Sequence, residues 1–319
     1  MSALPSMDAD DAVSRTREAL RSNPENGELW RALGMAHELR QEFDQATLAY
    51  ERALQLMPDD AAIAGDLGRL AHRLGMLPQA VQLLSAHLQA RPGDLDAINT
   101  LACVLRDQHD YDAAIALLRD AIAKAPEAAA LWNTLGTVLS ARGDGETART
   151  FFLEALRLEP HHPGARYNLA CAELELGEVE AALADCERAL AEATSPSERA
   201  TIGFARATML LCAGRLGEGW DAYEARFDPD LPDSPIFEIE LPRLAKGPAA
   251  GRILVVGEQG VGDEILFASL LPDLAAEGAQ IAAAVDPRLV GLFERSFPGL
   301  GIVPHATRRD KGRRRRWVP

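Results

Sequence analysis

The sequence lacks several features that would assign a chemistry at once. No stretch of its 319 residues approaches the ~20 apolar residues of a membrane-spanning helix, although 47% of the chain is hydrophobic and a well-packed core is within reach. The opening Met-Ser-Ala-Leu-Pro-Ser-Met-Asp has no basic-then-apolar pattern of a secretory signal. Four cysteines, Cys103, Cys171, Cys186 and Cys212, form no CxxC pair and no metal-ligand spacing, so they read as reduced core residues of a cytoplasmic protein. The seven histidines are scattered. His161 and His162, next to Pro160, read as solvated turn residues and not as ligands, and no metal site is expected. A P-loop is absent, since no glycine-rich turn runs into Gly-Lys-Ser/Thr, and so is the dinucleotide GxGxxG.

What the chain does have is a period. Pro24, Pro58, Pro92, Pro126 and Pro160 are spaced 34 residues apart. With the proline set as position 32, position 4 holds Trp30, Ala64, Ile98 and Trp132, and position 7 holds Leu33, Leu67, Leu101, Leu135 and Leu169. Position 8 is always small (Gly34, Gly68, Ala102, Gly136, Ala170), and position 20 is always alanine (Ala46, Ala80, Ala114, Ala148, Ala182), as two closely crossing helices require. Position 27 reads Ala53, His87, Ala121, Ala155 and Ala189, so the second unit departs. Proline just past a helix stops it, because the ring fixes φ and removes the N–H donor. A helical hairpin of this size cannot bury its apolar face alone and must stack on copies of itself.

These positions resemble the tetratricopeptide-repeat family over residues 8–227. The reading is a mainly α fold: a solenoid of about six repeats, opened by a half-repeat with Ala12, Ala19 and Pro24; downstream the proline is displaced to Pro196, and a sixth unit fits after about three extra residues, with Ala207, Gly219 and Tyr223 in place. The resemblance implies a concave groove lined by the first helix of each unit, chiefly positions 2, 5, 9 and 12. In this chain those positions include Glu28, Arg31, Glu38, Arg69, Asn99, Arg106, Asn133, Thr137 and Tyr167. Mixed charge and amides suit an extended or helical peptide, so a protein or peptide is the expected partner, with a merely solvated face as the alternative.

Residues 228–250 hold Pro229, Pro232, Pro235, Pro242 and Pro248 and read as an extended linker. An incomplete Rossmann-like α/β segment then follows over 251–306: a strand at Arg252–Val256, a glycine-rich turn and helix, a second strand at Gln280–Val285 and a third at Gly301–Pro304. The turn GEQGVGDEILFASLLPDL, residues 257–274, brings backbone N–H groups close to any ligand through Gly257, Gly260 and Gly262. Its acidic residues Glu258, Asp263 and Glu264 would repel phosphate, which points to hydroxyls or proton transfer.

Arg252–Leu274, with GWDAYEARF ahead of it, is similar to the junction between such repeats and GT-B glycosyltransferase domains of the heptosyltransferase and O-linked N-acetylglucosamine transferase kind. The resemblance rests on Gly262, Asp263 and Pro272, while Leu241-Pro242-Arg243-Leu244 lacks an expected tryptophan. It implies that Asp263 is a general base, against the alternative of a helix N-cap only, and that Glu258, Gln259, Gly260 and Gly262 contact an acceptor or sugar, against solvated loop residues. It implies a nucleotide-sugar donor only for a complete two-domain enzyme, so no cofactor is expected and this chain is expected to be a scaffold without turnover.

The net charge is −15, yet between Arg308 and Arg316 seven basic residues stand against one acidic. The end RRDKGRRRRWVP reads as an out-of-frame or truncated end; a natural disordered tail and a nucleic-acid or membrane-surface patch are the alternatives. Residues 307–319 are therefore expected to be a disordered basic tail, with no membrane partner and no nucleic-acid role.

Overall fold

A computed structural model describes residues 9–231, 234–244, 251–258, 260–310 and 313–318. The chain divides into two compact units, the first running to Thr194 with Thr208–Leu216, the second comprising Ser195–Ala207 with Gly217 onward. The division runs through the sixth helical pair, and not after Phe227 as the repeat pattern implied.

The first unit is a succession of helical hairpins. A single helix α1 (Ala9–Ser22) precedes the pairs α2–α3 (Gly27–Leu39, Phe43–Leu56), α4–α5 (Ala61–Arg73, Leu77–Ala90) and α6–α7 (Leu95–Asp107, Tyr111–Lys124). Then come α8–α9 (Ala129–Arg142, Gly145–Leu158) and α10–α11 (Pro163–Glu175, Val179–Glu192). The sixth pair, α12 (Pro196–Cys212) and α13 (Leu216–Ala222), is the one the division runs through, and most of it, with the 3-10 turn at Tyr223–Phe227 that follows, belongs to the second unit. All five periodic prolines lie in the turn after a second helix.

Side-chain size sets the hairpin geometry. The alanines at position 20 are fully buried, and the position-7 leucines are nearly so. Position 8 faces position 24 of the partner helix. A Cβ on Gly34 would stand 2.7 Å from the Tyr50 ring, and one on Gly136 would fall on the Phe152 ring. The units with alanine at position 8, Ala102 and Ala170, have the smaller Leu118 and Cys186 at position 24. Both rings at position 24, Tyr50 and Phe152, thus face glycine, while leucine stands there opposite glycine in one unit (Gly68, Leu84) and alanine in another (Ala102, Leu118). Leucine in place of Ala114 or Ala148, both 0% exposed, should overpack the crossing and cost about 1–3 kcal/mol. Unchanged denaturant melts for both variants would contradict the register.

Capping fixes the hairpin entries. Asn26, Asp60 and Asp94 accept from N–H groups in the first turns of α2, α4 and α6. Position 4 has a further role: Trp30 Nε1 donates to the Pro24 carbonyl at 2.8 Å and Trp132 Nε1 to the Pro126 carbonyl at 2.7 Å, while the Arg166 guanidinium serves Pro160 in the same way. The carbonyl of the helix-stopping proline, facing no helical donor, is thereby satisfied.

The second unit carries two small sheets. Strands β2 (Gly251–Val256), β3 (Ala279–Val285) and β4 (Gly301–Pro304) are parallel and adjacent in that order. The crossovers are α14 (Val261–Phe267) with a 3-10 turn and α15 (Leu271–Ala276), then α16 (Val290–Ser296). Alternate residues Ile253, Val255, Ile281, Ala283, Val285 and Ile302 pack with Leu271, Leu289 and Phe293 in one core. The expected Rossmann-like segment is present only as this three-stranded piece, which does not by itself establish that fold. Of the proline-rich linker, residues 232–233 and 245–250 lie outside the described residues, and Ile236–Phe237 forms a short strand, β1.

The basic end is not the disordered tail that its composition implied. Strands β5 (Ala306–Asp310) and β6 (Arg313–Trp317) pair antiparallel, and β6 adds parallel to β1. Charge is compensated locally, since Arg315 and Arg308 approach Glu238 at 3.0 and 3.5 Å, and Arg316 Nε donates to Thr307 Oγ1 at 3.1 Å.

Candidate functional sites

The first helices of successive repeats are joined by a ladder of polar side chains. Arg31 Nε donates to Asp66 Oδ2 at 2.5 Å, and Arg69 pairs with the other oxygen, so two guanidiniums share one buried carboxylate. One repeat on, His72 Nε2 lies 2.8 Å from Asp107 Oδ2, and Arg106 reaches Thr137 Oγ1 at 3.3 Å. Asn168 Nδ2 donates to Asn133 Oδ1 at 2.9 Å, and Ser140 Oγ to Glu175 Oε2 at 3.4 Å.

Most residues expected in the groove therefore belong to this ladder: Arg31, Arg69, Arg106, Asn133 and Thr137. Glu38 accepts from Tyr50 OH at 2.7 Å, and Glu28 is exposed at the start of α2. Asn99 is half-buried, and its side-chain oxygen is enclosed without a hydrogen-bond partner. Tyr167 is half-buried as well, and burial with Cys171 close by pushes its phenol well above the usual range. The sequence reading missed Asp66, which lies one residue past a groove position and is 5% exposed. Its signal was an acidic residue on an otherwise apolar stretch of α4.

The cysteines are less uniform than expected: Cys186 is buried, Cys103 and Cys171 are intermediate, and Cys212 is exposed. Burial pushes the Cys103 and Cys171 thiols up, away from thiolate chemistry. His161 is exposed with Glu192 at 3.1 Å, and His162 caps α10 by accepting from the Ala165 N–H. No group of three metal-ligating side chains comes together among the described residues.

In the second unit the acidic loop lies where β2, β3 and β4 end. Gly260 is the N-cap of α14 and Asp263 its third residue, so Asp263 is not the N-cap that its place suggested. Its Oδ2 instead accepts from the Gly260 N–H at 3.3 Å. That is half of a capping box, because glycine has no side chain to return the bond. Gly260 has φ −82°, and a Cβ on Gly262 would meet nothing, so neither position requires glycine. Gly257 does, since a Cβ there would fall on the Glu264 carboxyl. Gln259 lies outside the described residues.

Glu258 lines the cavity beside these strand ends and is engaged by an arginine. Both its oxygens accept from Arg226 Nε, at 2.9 and 3.0 Å, and the Arg226 guanidinium lies 3.9 Å from the centre of the Phe227 ring. Glu264 is the residue that organises the strand ends. Its Oε2 accepts from the Asp286 N–H at 2.8 Å, its Oε1 faces His305 Nε2 at 3.0 Å, and both Glu264 and His305 are buried. Asp286 in turn is held down to about 2 by the Arg288 guanidinium and backbone N–H. Trp220, Tyr223, Asp263, Glu264 and Phe267 are among the residues around a cavity of about 570 Å³. Of its carboxylates, Asp263 bonds only backbone among the described residues.

Comparison with known proteins settles the repeat. A profile of the tetratricopeptide repeat matches residues 99–163 and 133–198, and a profile of the cytochrome c-type biogenesis protein H TPR domain matches residues 15–118. The chain is a tetratricopeptide-repeat protein. It is similar to a tetratricopeptide repeat protein of Parabacteroides merdae, whose structure superposes with a TM-score of 0.62 at 17% identity over 70% of this chain and 87% of that one. Protein FlbA of Caulobacter vibrioides is 44% identical over 297 residues, 92% of this chain and 50% of FlbA. The tetratricopeptide chain thus spans half the length of that relative. Protein O-mannosyl-transferase TMTC3 of Homo sapiens is 26% identical over 180 residues, 52% of this chain and 20% of TMTC3.

Proposed function

We propose that the chain is a protein-binding scaffold whose tetratricopeptide groove takes an extended or helical peptide. The observation that carries this reading is the ladder from Arg31 to Glu175: polar side chains of adjacent first helices are fixed to one another at one-repeat intervals. Such a surface is organised before a ligand arrives, which lowers the ordering cost of binding. It presents charge around Arg31, Asp66, Arg69 and Arg106, and neutral amide, hydroxyl and phenol groups around Asn133, Thr137 and Tyr167. A peptide selected from a random display library should lose about tenfold or more in affinity on Asn133→Ala or Tyr167→Ala. Lys124→Ala, on a second helix, should leave it unchanged. Equal loss from all three variants would contradict a groove site.

A second reading is favoured by one arrangement, the three parallel strands with helical crossovers and acidic residues at their ends. Ligands of open α/β sheets bind at the carboxyl ends of the strands. On this reading residues 251–306 are the start of a Rossmann-like GT-B domain and the chain belongs to a tetratricopeptide-linked glycosyltransferase, with Asp263 as base toward an acceptor hydroxyl beside Gly260 and Gly262. The relation to TMTC3, a protein O-mannosyl-transferase by name, leans the same way.

One substitution separates the two. Asp263→Asn keeps the oxygen that accepts from Gly260, so the scaffold reading expects stability within a few tenths of a kcal/mol and unchanged peptide affinity. The transferase reading expects turnover to fall about 100-fold or more. Transfer from a nucleotide sugar by the purified 319-residue protein, lost in Asp263→Asn, would overturn the scaffold reading.

A further inference from the structure

The second repeat breaks the alanine rule at position 27, where it holds His87, 3% exposed. The ring faces two acceptors. Nδ1 lies 2.6 Å from the carbonyl oxygen of Ala61, the first residue of α4, and Nε2 lies 2.8 Å from Oδ2 of Asp94, the N-cap of α6. A carbonyl oxygen and an ionised carboxylate can only accept, whereas a neutral imidazole has a single N–H to give. Either neutral tautomer would therefore press a lone pair against an oxygen at one of the two contacts. Both are satisfied only when both nitrogens carry hydrogen.

We propose that His87 is a protonated latch that ties the second repeat to the third and loosens when the ring gives up a proton. Space for it is built in. Position 5 of the same repeat is Gly65, and a Cβ there would stand 2.6 Å from His87 Nδ1. The carboxylate is built in as well. Asp94 Oδ1 accepts from the Ala97 N–H at 3.0 Å, and this bond, outweighing burial and aided by His87, holds Asp94 below the usual carboxylate range.

The other charged groups on the surrounding elements have separate places. Asp60 caps α4 through the Ala62 and Ile63 N–H groups, Asp59 and Arg91 line the open hollow beside Ala61, and Asp96 is exposed in the first turn of α6. Only Asp94 among the described side chains bonds the ring. The latch is thus closed while both ring nitrogens carry hydrogen and opens when one proton leaves. It sits between the repeats that carry Arg69 and His72 and those that carry Asn99 and Arg106, so its opening would change the spacing of the groove at that joint.

Two measurements on the 319-residue protein test this. In NMR spectra of protein labelled at histidine nitrogens, both ring nitrogens of His87 should be protonated at about pH 6; an unprotonated nitrogen there would overturn the proposal. Backbone hydrogen exchange, corrected for the intrinsic rate, should show protection of residues 61–66 and 94–99 falling about ten- to a hundred-fold between about pH 6 and pH 8. In His87→Ala, which restores the residue of the other repeats, the fall should be absent. The same pH-dependent fall in His87→Ala would assign it to His37 or His72 and sink the latch. Should that variant not fold, the ring spectra of the wild type decide alone.

Discussion

Phe152→Ala should be among the most damaging substitutions in the array, at about 3–5 kcal/mol. The ring is 1% exposed and sits in the largest core of the first unit, with Leu131, Leu135, Val138 and Leu169. Its place is set by Gly136, whose missing side chain leaves the room that the ring fills. The two positions should therefore couple. Gly136→Ala alone gains up to about 1 kcal/mol of helix propensity but must push the ring aside, so it should be net destabilising. In the Phe152→Ala background the clash is gone and the same change should be neutral or stabilising. Because repeats contact mainly their neighbours, denaturant melts are best read with hydrogen exchange of α8 and α9. Additive effects of the two substitutions would mean that the ring and the glycine do not face each other.

Glu264→Ala should cost a similar amount, about 3–5 kcal/mol, in the second unit only. The change leaves the Asp286 N–H and His305, both held at the strand ends by this carboxylate, without their partner. Removing one member of a buried polar pair costs far more than the pair contributes when intact. Exchange should rise across β2, β3 and β4 while α2 to α11 keep their protection, since the chain divides into two compact units. Glu264→Gln, which retains one acceptor oxygen, should lose less. Equal protection of the strands in wild type and Glu264→Ala would remove Glu264 from its organising role.

The array was legible because its constraints repeat. Ala46, Ala80, Ala114, Ala148 and Ala182 mark the helix crossing in each unit, and all are fully buried. The donor role of position 4 was hidden because Trp30, Trp132 and Arg166 differ in type and share only the ability to reach a proline carbonyl. The ladder was half visible: its residues follow from the repeat register, but the pairing of Arg31 with Asp66 depends on how neighbouring repeats stack. In the α/β unit the strands were readable from apolar runs. The role of Asp263 was misread because α14 starts three residues earlier than expected, which turns an N-cap into a first-turn carboxylate that reaches back to Gly260. Glu264 joins α14 to residues 22 and 41 positions away, and no local pattern announces such a bond. The basic end misled because composition gives charge but not the Glu238 and Thr307 that receive it.

The central claim, that the face of the first helices is the working surface, is tested most directly by hydrogen exchange of the 319-residue protein with and without a library-selected peptide. The scaffold account expects the bound peptide to protect α2, α4, α6, α8 and α10, with the strongest effect around Asn133 and Tyr167, and to leave α3, α5, α7, α9 and α11 unchanged. Protection confined to residues 251–310, or to the second helices, would contradict it.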